Sequence, residues 1–220
     1  FIALGQKDLG GHINKNLTVG TGETLDLDSG SVDDVTITGG KFEFAGGTTG
    51  TITLTTGELE VDGGTVSSNL TLGTGATLDL DSGAVADVTI DGGTFEIGDD
   101  TSVGTLTLNT GELNIATAGV DLGDFNIGAN GVLDVDAGSV DNVDVNGGTF
   151  ELSGTGSALS LDHVSGTSTL EGGTIANAST VSGDQINNSG ATFTTGVTAS
   201  GTVTYNQTGA SADGGPVIND

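Results

Sequence analysis

Pairs of aspartates recur in the same local setting three times along the chain. The segment Leu25-Asp-Leu-Asp-Ser-Gly reappears from Leu78, and Leu133-Asp-Val-Asp-Ala-Gly is a third copy. In an extended backbone alternate side chains project to the same side, so each pair presents two carboxylates together. Carboxylate oxygens are hard ligands that suit Ca²⁺, the only cofactor that the sequence suggests. The candidate calcium ligands are Asp26, Asp28, Asp79, Asp81, Asp134 and Asp136.

The alternative to a calcium site is a solvated acidic face whose repulsion is screened by salt. The aspartate pattern is only a fragment of a calcium loop, and the Gly-Gly-x-Gly-x-Asp nonapeptide is absent. The chain has 30 acidic residues against 3 lysines, for a net charge of −27. Phosphate binding needs a basic footprint, so nucleic acid is not an expected partner. No apolar stretch approaches the ~20 residues of a membrane span, so membrane insertion is not expected either.

Residues that usually perform catalysis are scarce. His12 and His163 are far apart and have no repeated partner, so both are expected on the surface. The chain has no Cys, and without a positioned His no Ser-His-Asp or Cys-His arrangement can be assembled. Two carboxylates would suffice for a glycosidase, but there is no Trp and only one Tyr, Tyr205, to form a sugar platform. We therefore predict that the chain is not an enzyme.

An internal repeat organises the chain. Residues 16–30 recur as residues 69–83, and inside this long unit apolar-polar-apolar triplets recur about every 18 residues. Alternation with period two indicates strands, and Gly with Asp or Ser between the triplets indicates turns. Triplets of the first column begin at Leu17, Val35, Ile52, Leu70, Val88, Leu106, Phe125, Val143 and Leu159. Triplets of the second column begin at Leu25, Phe42, Leu59, Leu78, Phe95, Leu113, Leu133 and Phe150.

These two columns predict an all-β fold, a single parallel β-solenoid in which each coil stacks ~4.8 Å above the previous one. We expect regular coils over residues 16–162, less regular coils over 163–205, and about 9–11 coils in all. A β-sandwich of hairpins would not require equivalent residues to recur at every second strand. A β-propeller would need four strands in ~40–45 residues.

Three weaker sets of residues are expected to complete the interior. The third column, expected to fill a corner, is Val32, Val66, Val85, Val103, Val120 and Val140. The expected extension of the first column is Leu159, Ile175 and Phe193. The expected extension of the second column is Leu170, Ile186 and Val203.

The middle residues of the triplets are predicted to face solvent in two ladders. The first is mainly threonine and is explained by strand propensity, while binding of ice or carbohydrate by a hydroxyl array stays open as an alternative. The second is mainly carboxylate. The first ladder is Thr18, Thr36, Thr53, Thr71, Thr89, Thr107, Asn126, Asp144 and Ser160. The second ladder is Asp26, Glu43, Glu60, Asp79, Glu96, Asn114, Asp134 and Glu151.

Gly/Thr/Asp-rich coils such as Gly22-Glu-Thr-Leu-Asp-Leu-Asp-Ser-Gly resemble the β-helical repeats of bacterial surface adhesins. Autotransporter passengers and filamentous-haemagglutinin-like exoproteins are the nearest comparison, and the resemblance covers residues 16 to about 205. It implies secretion, a stiff stalk, and attachment to surfaces or to other copies. The chain contains no Met, so we expect that it was either processed, which removal of a secretory signal would explain, or cut from a longer chain.

The two ends differ from the coils. Residues 1–15 are slightly basic and are predicted to be an assembly arm, with a frayed terminus or a cut from a longer solenoid as the alternative. Residues 206–220 are predicted to form a C-terminal tail. A solenoid end exposes strand edges that can pair with another chain, which favours a head-to-tail homopolymer. We therefore expect a rod-like subunit of an extracellular fibre or adhesin stalk, and the alternative is a solenoid that recognises a cation, glycan or ice. The predicted assembly residues are Phe1, Ile2, Leu4, Lys7, Leu9 and Ile13.

Overall fold

A computed structural model describes most of the chain as strands and turns. The described residues are 11–13, 16–98, 101–115, 120–177, 179–183, 185–194, 197–199, 204–207 and 217–218. The chain divides into two compact units, Phe1–Leu106 and Thr107–Asp220. Within the described residues, no helix has the length and apolar character needed to span a bilayer.

The strands of unit 1 are closely spaced and range from 2 to 15 residues. They are β1 (Gly11–Ile13), β2 (Leu17–Gly20), β3 (Thr24–Leu27), β4 (Gly30–Val32), β5 (Val35–Phe44), β6 (Thr48–Thr49), β7 (Ile52–Val66), β8 (Leu70–Leu72), β9 (Ala76–Val85), β10 (Val88–Asp91), β11 (Thr94–Ile97) and β12 (Thr101–Val103).

The strands of unit 2 follow the same pattern, and the first of them begins at the last residue of unit 1. They are β13 (Leu106–Ile115), β14 (Asp121–Leu122), β15 (Phe125–Val135), β16 (Ser139–Leu152), β17 (Ser157–Leu170), β18 (Thr174–Ile175), β19 (Ser179–Val181), β20 (Gln185–Asn188), β21 (Thr192–Phe193), β22 (Val197–Ala199), β23 (Thr204–Gln207) and β24 (Val217–Ile218).

Unit 1 is a parallel β-solenoid whose coils have three faces. Face A carries the first-column triplets, where Leu17 pairs with Val35. Face B carries the second-column triplets, where Leu25 pairs with Phe42. Face C carries the third column, where Val32 pairs with Thr49. The pairing is parallel and joins equivalent residues of successive coils, which confirms the predicted fold class and is incompatible with hairpins.

The interior of unit 1 follows from the period-two alternation of its strands. The apolar residues of the triplets on faces A and B are almost all fully buried, and the middle residues face outward. Phe42 and Phe44 pack with ring centroids 5.9 Å apart. Thr49 is the one buried polar side chain among the described residues of unit 1, and its hydroxyl has no hydrogen-bond partner. Thr49 supplies the face C position between Val32 and Val66, which the valine pattern left empty.

Glycines at the corner between faces A and B allow close backbone contact between coils. A Cβ added to Gly40 would lie 2.5 Å from the carbonyl oxygen of Gly20 and 2.6 Å from Cγ1 of Val19. Gly57, in the next coil, has a φ of +102°, and its Cβ would lie 2.4 Å from the carbonyl oxygen of Gly40. Only glycine fits such a position, because the space is occupied by backbone and the conformation is left-handed at Gly57.

Unit 2 is also a parallel β-solenoid, but its register differs from the expected one at β17. Val143 pairs with Leu161 and Val145 with His163, so the face A triplet of this coil is Leu161-Asp-His163. The prediction that Leu159 begins this triplet and that Ser160 is its outward residue is therefore wrong. Leu159 is 38% exposed. The step from Val143 to Leu161 is 18 residues, so the apolar Leu159 outweighed the regular spacing in the sequence argument.

The later coils of unit 2 assign further residues to different faces. Ala158 pairs with Val140 and Ile175, and Ile175 with Phe193, so Ile175 and Phe193 belong to face C and not to the first column. Face A continues instead through Ser179, which pairs with Val197.

Two more expected positions change in unit 2, and one is retained. Leu170 pairs with Leu152, so it occupies the second inner position of face B, while Ile186 pairs with Ser168 at the first position, as expected. On face C, Leu122 rather than Val120 pairs with Val140. Val203 lies outside the described residues.

Candidate functional site: the acidic face of unit 1

Face B of unit 1 presents a continuous ladder of carboxylates to solvent. Each acid pairs in register with the acid of the next coil, so the charges are one strand spacing apart. Two carboxylates at that distance repel by about 1 kcal/mol in water and several-fold more where the effective dielectric constant is lower. The ladder predicted from the sequence is confirmed here for Asp26, Glu43, Glu60, Asp79 and Glu96.

Lys41 lies beside this ladder and contacts three of its neighbours. Its Nζ lies 3.1 Å from Glu43 Oε1 and 3.2 Å from Glu58 Oε1, and it also contacts Glu60 Oε2. The hydrogen bond to Glu60 raises the pKa of the Lys41 ammonium above its usual range, burial opposes this, and Glu43 and Glu58 act in the same direction as Glu60. Lys41 is therefore a built-in counter-ion for the early part of the ladder.

A second feature of the ladder is a cluster of three carboxylates from two coils. Oxygen atoms of Glu60, Asp62 and Asp81 lie within 4.8 Å of one another. The register shifts at this point, because Val61 pairs with Leu80 while Asp62 pairs with Ser82. Asp81 is the extra residue of this bulge, and it is placed next to the acids of the preceding coil.

The electrostatic environment of the cluster disfavours full ionisation. Burial raises the pKa of Asp62, and the neighbouring charges of Glu60 and Asp81 raise it further. Burial also raises the pKa of Asp79, followed by the charges of Asp81, Glu96 and Glu60. A divalent cation would relieve this repulsion. Three oxygens fall short of the 6–8 ligands that Ca²⁺ takes, so water would supply the remainder.

The structure separates the two predicted calcium pairs of unit 1 from each other. Asp26 and Asp79 are three coils apart along face B, or about 14 Å at one strand spacing per coil. Within the described residues, Asp81 is the one predicted ligand that joins a cluster of three carboxylates, and its partners Glu60 and Asp62 were not predicted as ligands. That grouping could not be predicted from residue spacing, because it depends on the bulge.

The third predicted pair lies in unit 2, where hydrogen bonds occupy both carboxylates. Asp134 pairs with Glu151 and accepts a hydrogen bond of 3.0 Å from Asn114 Nδ2. Burial raises the pKa of Asp134, followed by the charges of Asp136 and Glu151, and the bond from Asn114 opposes this. Asp136 Oδ1 accepts a hydrogen bond from Ser153.

Of the predicted assembly residues, only Ile13 lies among the described residues, and its backbone pairs with Val32 in the first parallel step of unit 1. The others, Phe1, Ile2, Leu4, Lys7 and Leu9, lie outside them.

The threonine ladder occupies face A of unit 1 in register. In unit 2 the equivalent row is different, since Asn126 pairs with Asp144, Asp144 with Asp162, and Asp162 with Thr180. Burial raises the pKa of Asp144, and the charges of Asp162 and Asp124 act in the same direction. The described members of the row in unit 1 are Thr18, Thr36, Thr53, Thr71 and Thr89.

Some aspartates have a structural role that the sequence argument missed. Asp34 Oδ1 accepts a hydrogen bond of 2.9 Å from the backbone N–H of Thr51, and Asp87 Oδ1 accepts one of 3.0 Å from Thr105. Both carboxylates thus satisfy a backbone donor at the corner where face A begins. In the sequence, both Asp34 and Asp87 stand immediately before a face A triplet, and this position could have identified them.

An open groove of about 440 Å³ runs along the corner between faces A and B of unit 1. Its floor is largely glycine, and Lys41 and Glu58 line it. No aromatic residue is present in the lining, so the groove offers a sugar no stacking platform.

Of the two histidines that were expected on the surface, only His163 has a described side chain, and it is buried. His163 is 1% exposed, so the prediction of a surface histidine is wrong at this position, because the side chain takes an inner position of face A. The side chain of His12 lies outside the described residues. No protein-family model, curated protein sequence or solved structure matches this chain.

Proposed function

We propose that the chain is an extracellular structural element without catalytic activity, a subunit of a surface fibre or a stalk of the adhesin type. The observation that carries this proposal is the register: within each unit, equivalent residues of successive coils pair in parallel. Backbone hydrogen bonds therefore run along the coil axis of each unit, where they resist extension. Short outward side chains and a thin interior suit a scaffold more than a binding cleft.

Self-association is the second part of the proposal. The last coil of a parallel solenoid leaves backbone N–H and C=O groups free to pair with another chain. A head-to-tail contact of this kind does not close, so it generates filaments. The strongly acidic composition opposes lateral aggregation, which leaves end-to-end contact as the favoured mode.

Electron microscopy of the purified chain tests this proposal directly. We expect uniform filaments of variable length, and sedimentation that shifts to larger species with increasing concentration. Discrete particles of one size at all concentrations would refute polymerisation.

The truncation that tests the N-terminal arm must stop before Gly11, because Gly11–Ile13 pairs with Gly30–Val32. We expect deletion of residues 1–10 to preserve the circular-dichroism spectrum and abolish filaments. Deletion of residues 219–220 is the matched control and should leave filaments intact. Filaments that survive the N-terminal deletion would remove the docking role of the arm.

A second candidate function is cation recognition, and the cluster of Glu60, Asp62 and Asp81 favours it over glycan or ice. Addition of Ca²⁺ should raise the melting temperature of the wild type, because the ion relieves repulsion that folding creates. Asp81→Asn should lose this response, whereas Asp28→Asn, in the matching motif two residues before Gly30, should keep it. An equal response in both variants would exclude the cluster as the site.

A further inference from the structure

An imidazole ring lies inside unit 2. His163 occupies the second inner position of face A, in register with Val145 in the coil before and Val181 in the coil after. Its side chain is 1% exposed. The ring Nδ1 lies 2.9 Å from Ser168 Oγ on face B, so a polar contact crosses the interior between two faces.

The coils around His163 are the most polar inside the described part of the chain. Ser168, Ser179 and Asn188 are buried there, at positions that leucine, valine, isoleucine or phenylalanine fills in most earlier coils. Ser179 Oγ accepts a hydrogen bond of 3.1 Å from the backbone N–H of Leu161. Small polar side chains at these interior positions contribute much less to stability than the large apolar side chains that they replace. These coils are therefore expected to open locally before the others do.

Charged groups near His163 lie on the outer side of the same strands. They alternate with the buried positions of β15, β16 and β17 and are exposed or half-exposed, so solvent screens their effect on the ring. The described residues of β19 and β20 carry no charged side chain. The charged residues on the three strands are Asp134, Asp141, Asp144, Glu151 and Asp162.

We propose that His163 makes the coils from β17 to β22 sensitive to pH, so that proton uptake by the buried ring opens them. Removing a charged ring from water is costly even where neutral hydroxyl and amide groups line the interior, whereas an exposed imidazole takes up a proton at about pH 6.5. The opened form therefore binds the proton more readily than the closed form. The closed form is fully stable above about pH 6.5. Below that pH, the equilibrium constant for opening should increase by up to about tenfold for each unit by which the pH falls.

Hydrogen–deuterium exchange followed by mass spectrometry tests this inference on the full chain. Samples at pH 7.5, 6.5 and 5.5 are compared after correction for the intrinsic exchange rate. We expect peptides from β17 to β20 to lose protection by up to about tenfold per unit below pH 6.5, while peptides from β5 and β7 in unit 1 keep theirs. His163→Gln and His163→Val should both abolish this loss, and His12→Gln is the control that should retain it.

The two substitutions at His163 differ in what they preserve. Gln keeps a polar side chain that does not titrate, and Val matches Val145 and Val181 in the same row, so at least one of the variants should fold. As a second measurement, nuclear magnetic resonance of the ring should show proton uptake at a lower pH in the folded chain than in urea. The inference is overturned if the wild type shows no loss of protection, if either folded variant retains the loss, or if the ring titrates alike in both conditions.

Discussion

The substitution of Lys41 by Gln is the sharpest test of the electrostatics of face B. Lys41 Nζ contacts Glu43, Glu58 and Glu60, and its side chain is 32% exposed. Exposed ion pairs usually contribute 0.2–1 kcal/mol each. At about 0.5 kcal/mol for each of three contacts, loss of the ammonium should cost about 1.5 kcal/mol at low salt. Unfolding in urea, followed by circular dichroism at pH 7.5, measures this difference.

Salt and pH provide the controls for this prediction. In 1 M NaCl the screening length falls to about 3 Å, so the cost should shrink to roughly 0.5 kcal/mol or less. Lys41→Arg keeps the charge and should lose little at either salt concentration. Folding raises the pKa of Lys41, so its stabilisation is present below the unfolded pKa of about 10.4 and is lost as the pH rises through the higher folded value. The counter-ion role would be refuted if Lys41→Gln were as stable as the wild type at low salt, or if its loss in the free energy of unfolding were the same at low and high salt.

Three further predictions concern the interior, the corner and the acidic ladder. Thr49→Val should stabilise the fold by about 1 kcal/mol in urea unfolding, because it removes a buried hydroxyl without a partner; a loss of stability would contradict this. Gly40→Ala should lower the free energy of unfolding by about 2–3 kcal/mol, because the added Cβ would meet backbone atoms. In Gly20→Ala the added Cβ meets only the carboxylate of Glu23, at 3.3 Å, so the loss should be less than about 1 kcal/mol. Equal losses in the two variants would contradict the role of close backbone packing at Gly40. Folding raises the pKa of Asp62, Asp79 and Asp134, so the repulsion on these carboxylates is relieved as the pH falls through their folded values. The melting temperature of His163→Gln should thus rise as the pH is lowered from 7 toward the unfolded aspartate pKa of about 3.9, and a fall would contradict the raised pKa values.

The faces of unit 1 could be predicted because apolar residues repeat at regular intervals there. Period-two alternation placed Leu25 and Phe42 in one row, and the 17-residue step between them is the register that the structure has. In unit 2 the same alternation places Phe125 with Val143 and Leu133 with Phe150 correctly. From β17 onward it was misleading, because Ser168, Ser179 and His163 occupy inner positions without an apolar signature. Spacing alone identifies Leu161, but hydrophobicity favoured Leu159.

The candidate site was predicted only in outline. Alternation is enough to place Glu60 and Asp79 in one outward ladder. The cluster of Glu60, Asp62 and Asp81 could not be predicted from the sequence. A bulge in β9, opposite Val61 and Asp62, decides which acids meet. Local irregularities of this kind depend on backbone packing between coils, which residue spacing does not encode.

The near-identity of residues 16–30 and 69–83 has a consequence for how such a chain changes over generations. The two segments are 53 residues apart and occupy equivalent places on faces A and B of unit 1. Unequal crossing-over between the corresponding gene segments would add or delete a whole block of coils. Each strand at the junction would still pair with a strand of equivalent sequence. The length of the protein can therefore vary while the same apolar side chains continue to stack in the interior.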